Sequence, residues 1–423
     1  MKDKSDNKGL GIDPIQGYQE KLETIKKRLL EYDGIGLILI DASSILRINK
    51  EFGKKVYNEV LQALRDIISD MKGKLIREDD IVTVKHPPDD QFYIFLAKKR
   101  EDKEFRCGDL ENLADRLTTD INKAMFMVVF PLLKRGTNIS VGYAFTIRNA
   151  LIKEERLLQK LIEDAKIMVG HQQLKHIMRK KRELQDLILK KEIETVYQPI
   201  VNMTSHETIG YEALSRGPEA TQYKSPYVLF SIAEETGLLF ELDYLCRRKA
   251  LSNANGINPG MGLFVNILPA SIYTPELKES YLDSFLQAID TEDGTVILEL
   301  SEKEALEDYP ILKNATKHLK NVEWAITIND TEASYSNFES ILQLAPDYIK
   351  LDISMVHDIE KNDLKREFVK TIVQIAANIK TKVIAEGIER KKQSQALIDI
   401  GIIYGQGFLF AEPGLPFPKP QFV

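Results

Sequence analysis

Thr208-Ile209-Gly210-Tyr211-Glu212-Ala213-Leu214 sets one carboxylate near the end of a short apolar run, and the arrangement returns along the chain. It recurs in Leu263-Phe264-Val265-Asn266, Val296-Ile297-Leu298-Glu299 and Ala325-Ile326-Thr327-Ile328-Asn329-Asp330. Tyr348-Ile349-Lys350 and Lys382-Val383-Ile384-Ala385-Glu386 follow the same plan. Short apolar runs of this kind read as buried strands, and the segments between them have helical spacing. Together with Val196–Val201 before them and Tyr404–Phe410 after, about eight units predict a TIM-like (β/α)8 barrel. Residues that end the strands of such a barrel gather at one mouth. Val196–Val201 and Thr208–Leu214 are separated by only a short turn, so they predict an antiparallel hairpin, because parallel strands need a longer crossover.

Gathered at a mouth, Glu212, Asn266, Glu299, Asp330 and Glu386 offer hard oxygen ligands of the type that Mg²⁺ or Mn²⁺ prefer. A phosphodiester repels an attacking hydroxide, and carboxylate-held divalent cations relieve that repulsion. Lys350 could orient water or stabilise a leaving charge, and Asp352, two residues on and on the same strand face, could hold the lysine. Taken singly, each residue reads as a surface charge or a helix-start carboxylate; their succession is what points to a site.

The 423 residues predict two domains. A composition 43% hydrophobic and 29% charged is that of a soluble globular protein. A net charge of −6 argues against a binder of nucleic-acid polymers, but not against a small anionic ligand. Cys107 and Cys246 lack metal-ligand spacing and predict no disulfide framework. The start of the chain lacks the apolar core of a signal peptide, and Ala124–Leu133 is too short to span a bilayer, so a cytoplasmic protein with no membrane insertion is expected.

Residues 1–19 read as a polar tail and 20–172 as an α+β domain. Within the latter, the apolar run Ile35–Asp41 reads as a buried strand and Ile81–Lys85 and Gln91–Leu96 predict a hairpin, with helices at Gly17–Tyr32, Ser43–Phe52, Val56–Met71, about Leu110–Ala124 and from about Glu154, and a strand at Thr137–Ala144. Residues 173–191 read as a helical linker, and 192–423 carry the barrel.

Glu212-Ala213-Leu214 followed by Arg216 resembles the signature of the EAL-domain family of cyclic-di-GMP phosphodiesterases, and the likeness covers residues 192–415. Tyr197-Gln198-Pro199-Ile200, Phe264-Val265-Asn266-Ile267, Glu299-Leu300-Ser301-Glu302, Asp347–Asp352, Ala385–Glu389 and Gln406-Gly407-Phe408 resemble its other motifs in order. The resemblance implies a modified TIM-like barrel with an antiparallel first strand. It implies Glu212, Asn266, Glu299 and Asp330 around the cations, with Lys350 and Glu386 completing a catalytic centre together with Glu212. Gln198, Leu214 and Arg216 would contact cyclic-di-GMP, as would Glu212, Asn266 and Gln406. Glu302, Asp352, Glu389 and Gln406 would support the geometry.

One element departs from the pattern. Where the family reads D-D-F-G-T-G-Y-S-S, this chain has Asn329-Asp330-Thr331-Glu332-Ala333-Ser334-Tyr335-Ser336-Asn337. Asn329 has one carbonyl oxygen and no charge, so it is a poor bridge between two cations, and one ion or none is expected there. Both loop glycines are replaced as well. The expectation is a cyclic-di-GMP receptor with hydrolysis impaired or absent; the alternative is a metal-dependent phosphodiesterase releasing linear pGpG. A homodimer and a protein partner for output are both compatible with the resemblance.

Residues 20–172 resemble the GGDEF, or diguanylate cyclase, domain that often precedes an EAL domain. Ile35–Asn49 matches its strand and helix, with Asp41 at a metal-binding position and Asn49 at a guanine-contacting one; Thr137–Gly142 resembles a later strand. Pro88-Asp89-Asp90-Gln91-Phe92 stands in place of the signature, and Ser43, Leu46 and Asn58 replace three further functional residues. No cyclase activity is expected. Arg77-Glu78-Asp79-Asp80 has the R-x-x-D form of the family's product site, or is a charged turn.

Overall fold

The computed structural model describes residues 15–86, 90–96, 107–133, 138–254, 256–258, 260–268, 271, 295–301, 322–328 and 345–422. The chain divides into two compact units, Met1–Arg179 and Lys180–Val423.

In the first unit, α1 (Tyr18–Tyr32) precedes β1 (Gly34–Asp41), and a 3-10 turn at Ser43–Ile45 leads into α2 (Leu46–Asp70). The hairpin β2 (Ile81–Val84) and β3 (Gln91–Leu96) follows, then α3 (Cys107–Leu133), β4 (Ser140–Ile147) and the start of α4 (Glu154–Lys190), whose last turns belong to the second unit. The sheet order is β2-β3-β1-β4 with every pairing antiparallel, a split β-α-β arrangement. Central β1 explains its own unbroken apolar run. Ile38 and Ile40 pack with Leu64 and Leu117 on one face, while Ile35, Leu37 and Leu39 pack with Leu29 and Leu161 on the other.

The two helices expected over residues 43–71 meet at Gly53, whose φ of 81° breaks α2 where a side chain would be strained. Helix α3 extends well beyond its expected end. Strand β4 starts later than expected because Asn122 claims the Ile139 backbone, donating to its carbonyl at 2.8 Å and accepting from its amide at 2.9 Å.

In the second unit the last turns of α4 supply Leu184 and Leu187 to a cluster with Leu229 and Leu242. The segment read as a linker thus ends inside a core. A closed eight-strand barrel follows: β5 (Glu194–Asn202), β6 (Glu207–Arg216), β7 (Gly262–Asn266), β8 (Thr295–Ser301), β9 (Val322–Ile328), β10 (Tyr348–Leu351), β11 (Lys382–Ala385) and β12 (Tyr404–Gly405). β5 pairs antiparallel with both β6 and β12, and all other neighbours are parallel, so the antiparallel first strand is observed. On the outside lie α5 (Pro226–Thr236), α6 (Leu239–Ser252), a short helix at Ile353–Val356, α7 (Asp363–Asn378) and α8 (Lys391–Asp399).

The last strand is far shorter than the run Tyr404–Phe410 suggested. Beyond Gln406 the chain lies so close to Ile388 that a Cβ at Gly407 would stand 2.1 Å from the Ile388 carbonyl oxygen. Among the described residues no helix is long and apolar enough to cross a membrane.

Candidate functional site

Successive side chains of a strand alternate between its two faces, so positions two apart look the same way. Ile200, Phe264, Ile297, Ala325, Tyr348 and Ile384 form one buried cluster, joined by Ile209 and Tyr404. These residues are the apolar floor of the barrel interior. Two positions along the parallel strands stand Asn266, Glu299, Thr327, Lys350, Glu386 and Gln406, making a polar layer above that floor. Antiparallel β5 reaches the same layer in reverse, from Ile200 back to Gln198. On β6 a bulge opposite Ile200–Val201 turns Ile209 inward and brings Glu212 up beside the others.

Lys350 lies at the centre of this layer with no exposed surface. Its Nζ stands 3.0 Å from Glu212 Oε2, 2.7 Å from Glu299 Oε2 and 2.6 Å from Glu386 Oε1. Thr327 Oγ1 donates to Glu299 Oε1 at 2.8 Å, so both oxygens of that carboxylate are engaged. Gln406 Nε2 donates to Glu212 Oε2 at 2.7 Å and to Gln198 Oε1 at 3.0 Å, while Gln198 Nε2 donates to the Ala411 carbonyl at 3.0 Å. The Gln406 Oε1 atom is buried without a partner among the described residues. Asn266, exposed at the rim, donates Nδ2 to Glu212 Oε1 at 3.3 Å.

One ammonium faces three carboxylates, so the cluster carries excess negative charge if all are ionised. Burial pushes the Glu386 carboxyl up to about 8, opposed by Lys350 and assisted by the Glu299 and Glu212 charges. Glu299 is also raised, first by burial. At Glu212 burial acts the same way, but Lys350 and the hydrogen bonds from Gln406, Lys350 and Asn266 outweigh it and hold its carboxyl below the ordinary value. Burial disfavours the Lys350 ammonium, yet the three glutamates keep it protonated well above an ordinary lysine.

The donor chemistry suits a hard divalent cation: carboxylate and amide oxygens, a buried acceptor with no donor among the described residues, and more carboxyl groups than the one ammonium can neutralise once they ionise. Among the described residues no cluster of three or more acidic, His or Cys side chains is already spaced as a metal cage. Instead, the glutamates turn to Lys350.

The structure brings together Gln198, Glu212, Asn266, Glu299, Lys350, Glu386 and Gln406. Leu214 and Arg216 lie further along β6 and are half-buried; Arg216 donates Nη1 to the Ser215 carbonyl at 2.9 Å. Asp352, expected to hold Lys350, instead accepts from the Ser354 amide at 2.9 Å and caps the helix at Ile353–Val356. The ammonium draws its partners from the three glutamates because they flank it within the barrel. Glu389 offers its backbone amide to Gln393 Oε1 at 3.1 Å. Glu302, Asn329 and Asp330 lie outside the described residues. The sequence pattern does not single out Thr327, because the polar pair Asn329-Asp330 follows it and ends the run. The two-residue step from Ala325 is the signal that finds it.

In the first unit, Asp41 Oδ1 accepts from the Ser43 amide at 3.0 Å and from Ser43 Oγ at 2.6 Å, and Oδ2 accepts from Gln91 Nε2 at 2.8 Å. Both oxygens of this carboxylate are therefore held by neutral donors of the chain itself.

A closed α/β barrel with its first strand reversed and a lysine-centred carboxylate layer at one mouth defines the class to which the second unit belongs. The EAL domain family matches residues 181–413, and the chain is a member of that family. An uncharacterised protein, y4lL of Sinorhizobium fredii, is 23% identical over 97% of this chain and 49% of its own length. The probable cyclic di-GMP phosphodiesterase PdeB of Escherichia coli is 28% identical over 59% of this chain and 48% of its own. The chain thus spans about half the length of these curated relatives. The FimX EAL domain of Pseudomonas aeruginosa, solved bound to c-di-GMP, aligns over 58% of this chain and 99% of that one, with 22% identity and a TM-score of 0.50, a likeness of fold.

Proposed function

We propose that the EAL domain binds cyclic-di-GMP at the mouth of the barrel as a receptor, with hydrolysis impaired or absent. The observation that carries this reading is the polar layer itself. Gln198, Glu212 and Gln406 form one hydrogen-bonded chain beside Asn266, with Arg216 nearby, above a sealed apolar floor. Such a bowl offers amide donors and acceptors to the base and ribose edges of a dinucleotide and a guanidinium to its phosphates. Family membership and the name of the E. coli relative support the same ligand class.

Glu212, Asn266, Glu299 and Asp330 would hold Mg²⁺ or Mn²⁺, with Asn329 as a neutral and weaker ligand. A bound divalent cation would supply an activated water and neutralise charge developing on the phosphate. Asn329 removes a carboxylate from that set, and Glu299 already spends both oxygens on Thr327 and Lys350. A phosphodiesterase reading is favoured by one observation, the intact cluster of Lys350 with Glu212, Glu299 and Glu386.

Titration calorimetry with cyclic-di-GMP, with and without Mg²⁺, tests the receptor, and a product assay for pGpG run beside it tests the enzyme. No binding at high micromolar ligand sinks the receptor; absence of turnover with either ion removes the hydrolase.

The first unit is read as a degenerate GGDEF domain without cyclase activity. This is supported by the loss of its signature and by the neutral donors that occupy Asp41. Its role is regulatory in this reading, passed to the EAL domain or to a protein partner, in a cytoplasmic protein.

A further inference from the structure

Asp243 lies on α6, outside the carboxylate layer, and is buried. Its Oδ2 accepts from Ser271 Oγ at 2.7 Å and from Arg247 Nε at 2.9 Å, and the Leu268 amide donates to the same carboxylate. Arg247 is its neighbour one helical turn on. The other two donors come from the chain just beyond Asn266, the last residue of β7. Ser271 also closes a turn there, its amide donating to the Leu268 carbonyl at 2.9 Å.

An ion pair used only to pack a helix on a barrel has no need of donors from a strand exit. Nor does simple packing call for the Arg247 Nη2 atom, which is buried without a partner among the described residues. Apolar residues would fill the same space without that cost. What the arrangement specifically fixes is the path of the chain leaving β7.

That path matters because the contact it governs is a long one. Asn266 reaches Glu212 Oε1 at 3.3 Å, near the limit of a hydrogen bond, so a shift of a few tenths of an ångström makes or breaks it. We propose that Asp243 is a positioning residue for Asn266: through the Leu268 amide and the Ser271 hydroxyl it fixes the exit of β7, and with it the reach of Asn266 to Glu212 and to a cyclic dinucleotide at the mouth. The ligand half of this inference rests on the proposed receptor function; the positioning half does not.

Ser271→Ala tests this, since it removes one donor to Asp243 and leaves the Asp243–Arg247 pair in place. In ligand-free protein the Asn266 side-chain amide resonances, identified by their loss in Asn266→Ala, are expected to shift in Ser271→Ala. Cyclic-di-GMP affinity is expected to fall roughly fivefold, the scale of one hydrogen bond. In the Asn266→Ala background that loss is expected to vanish, because both changes act on one contact. Asp243→Asn, which keeps an acceptor but strips Arg247 of its counter-charge, should move the same resonances further if it folds. Unmoved Asn266 resonances in Ser271→Ala overturn the proposal, as does an affinity loss that persists undiminished without Asn266. A wild type that fails to bind the dinucleotide refutes the receptor reading, and the resonances then decide the positioning role alone.

Discussion

Lys350 Nζ and Glu299 Oε2 lie 2.7 Å apart inside the barrel, and the lysine has no surface open to solvent. A buried ammonium is tolerated only with its counter-charges, and here two further glutamates share it. The same contact ties β8 to β10 across intervening β9.

Lys350→Met keeps the bulk of the side chain but leaves three carboxylates facing one another. Breaking a buried ion cluster in this way costs about 3–5 kcal/mol. Urea unfolding at neutral pH should register a loss of that order. The deficit should shrink in mild acid as the glutamates take up protons, and a deficit that does not depend on pH would argue against the charge explanation.

Thr327→Val is nearly isosteric and removes the donor to Glu299 Oε1. Leaving a buried carboxylate oxygen short of a donor costs about 1–3 kcal/mol. Unfolding of the variant should show this, and Thr327→Ser should recover most of it. Equal losses in both variants would assign the effect to packing.

In the metal-free protein Glu386 titrates at about 8, against an ordinary 4.5. Between those values the native state keeps a proton that the unfolded state has released, so the contribution is fully present below pH 4.5 and is lost as pH rises towards 8. Stability in the presence of chelator should therefore decline through that window, and Glu386→Gln should flatten the decline. Parallel profiles for variant and wild type would contradict the assignment. Loading with Mn²⁺ near pH 7 should release protons, read as a calorimetric enthalpy that depends on the buffer.

Asn329→Asp restores the carboxylate missing from the sequence pattern. If that absence limits turnover, pGpG formation with Mg²⁺ should rise about tenfold or more, which needs only about 1.4 kcal/mol in the transition state. Binding without metal should change little. Unchanged turnover would place the defect elsewhere in the altered loop.

Gly142→Ala tests the first unit by itself. A Cβ there would stand 2.2 Å from the Ala165 carbonyl oxygen and 2.7 Å from the Val169 amide nitrogen, backbone atoms that cannot swing aside. Overpacking of this kind costs about 1–3 kcal/mol. Thermal unfolding should lose stability in one unit's transition while cyclic-di-GMP binding is retained.

Much of the fold was legible because burial writes its period into the chain. The alternation of short apolar runs with helical segments announced the barrel, and the short turn before Glu207 announced the reversed first strand. β1 was legible as a fully buried strand for the same reason. The misplacements have local causes that pattern cannot express: Asn122 taking the Ile139 backbone, and Gly407 pressed against Ile388. Of the candidate site, the glutamates, Asn266 and Lys350 were visible as strand-end polar residues, and the two glutamines only through the family resemblance. Thr327 was not, since a lone threonine in a strand carries no polar signal of its own. Asp243 and Ser271 were hidden as well, because one helix turn and one loop meet only through tertiary packing.

The sequence by itself determined which residues end the strands, and so which side chains share a mouth, because the two-residue period of a strand is a local property. It also determined that Asn329 is uncharged, whatever surrounds it. Only the tertiary structure decided how those side chains pair. It set Lys350, and not a chain of separate carboxylates, at the centre of the layer, and it sent Asp352 to a helix cap. The reason is that the charge state and partners of a buried group depend on distances across strands far apart in sequence, such as the 138 positions between Glu212 and Lys350. Those distances exist only once the barrel has closed.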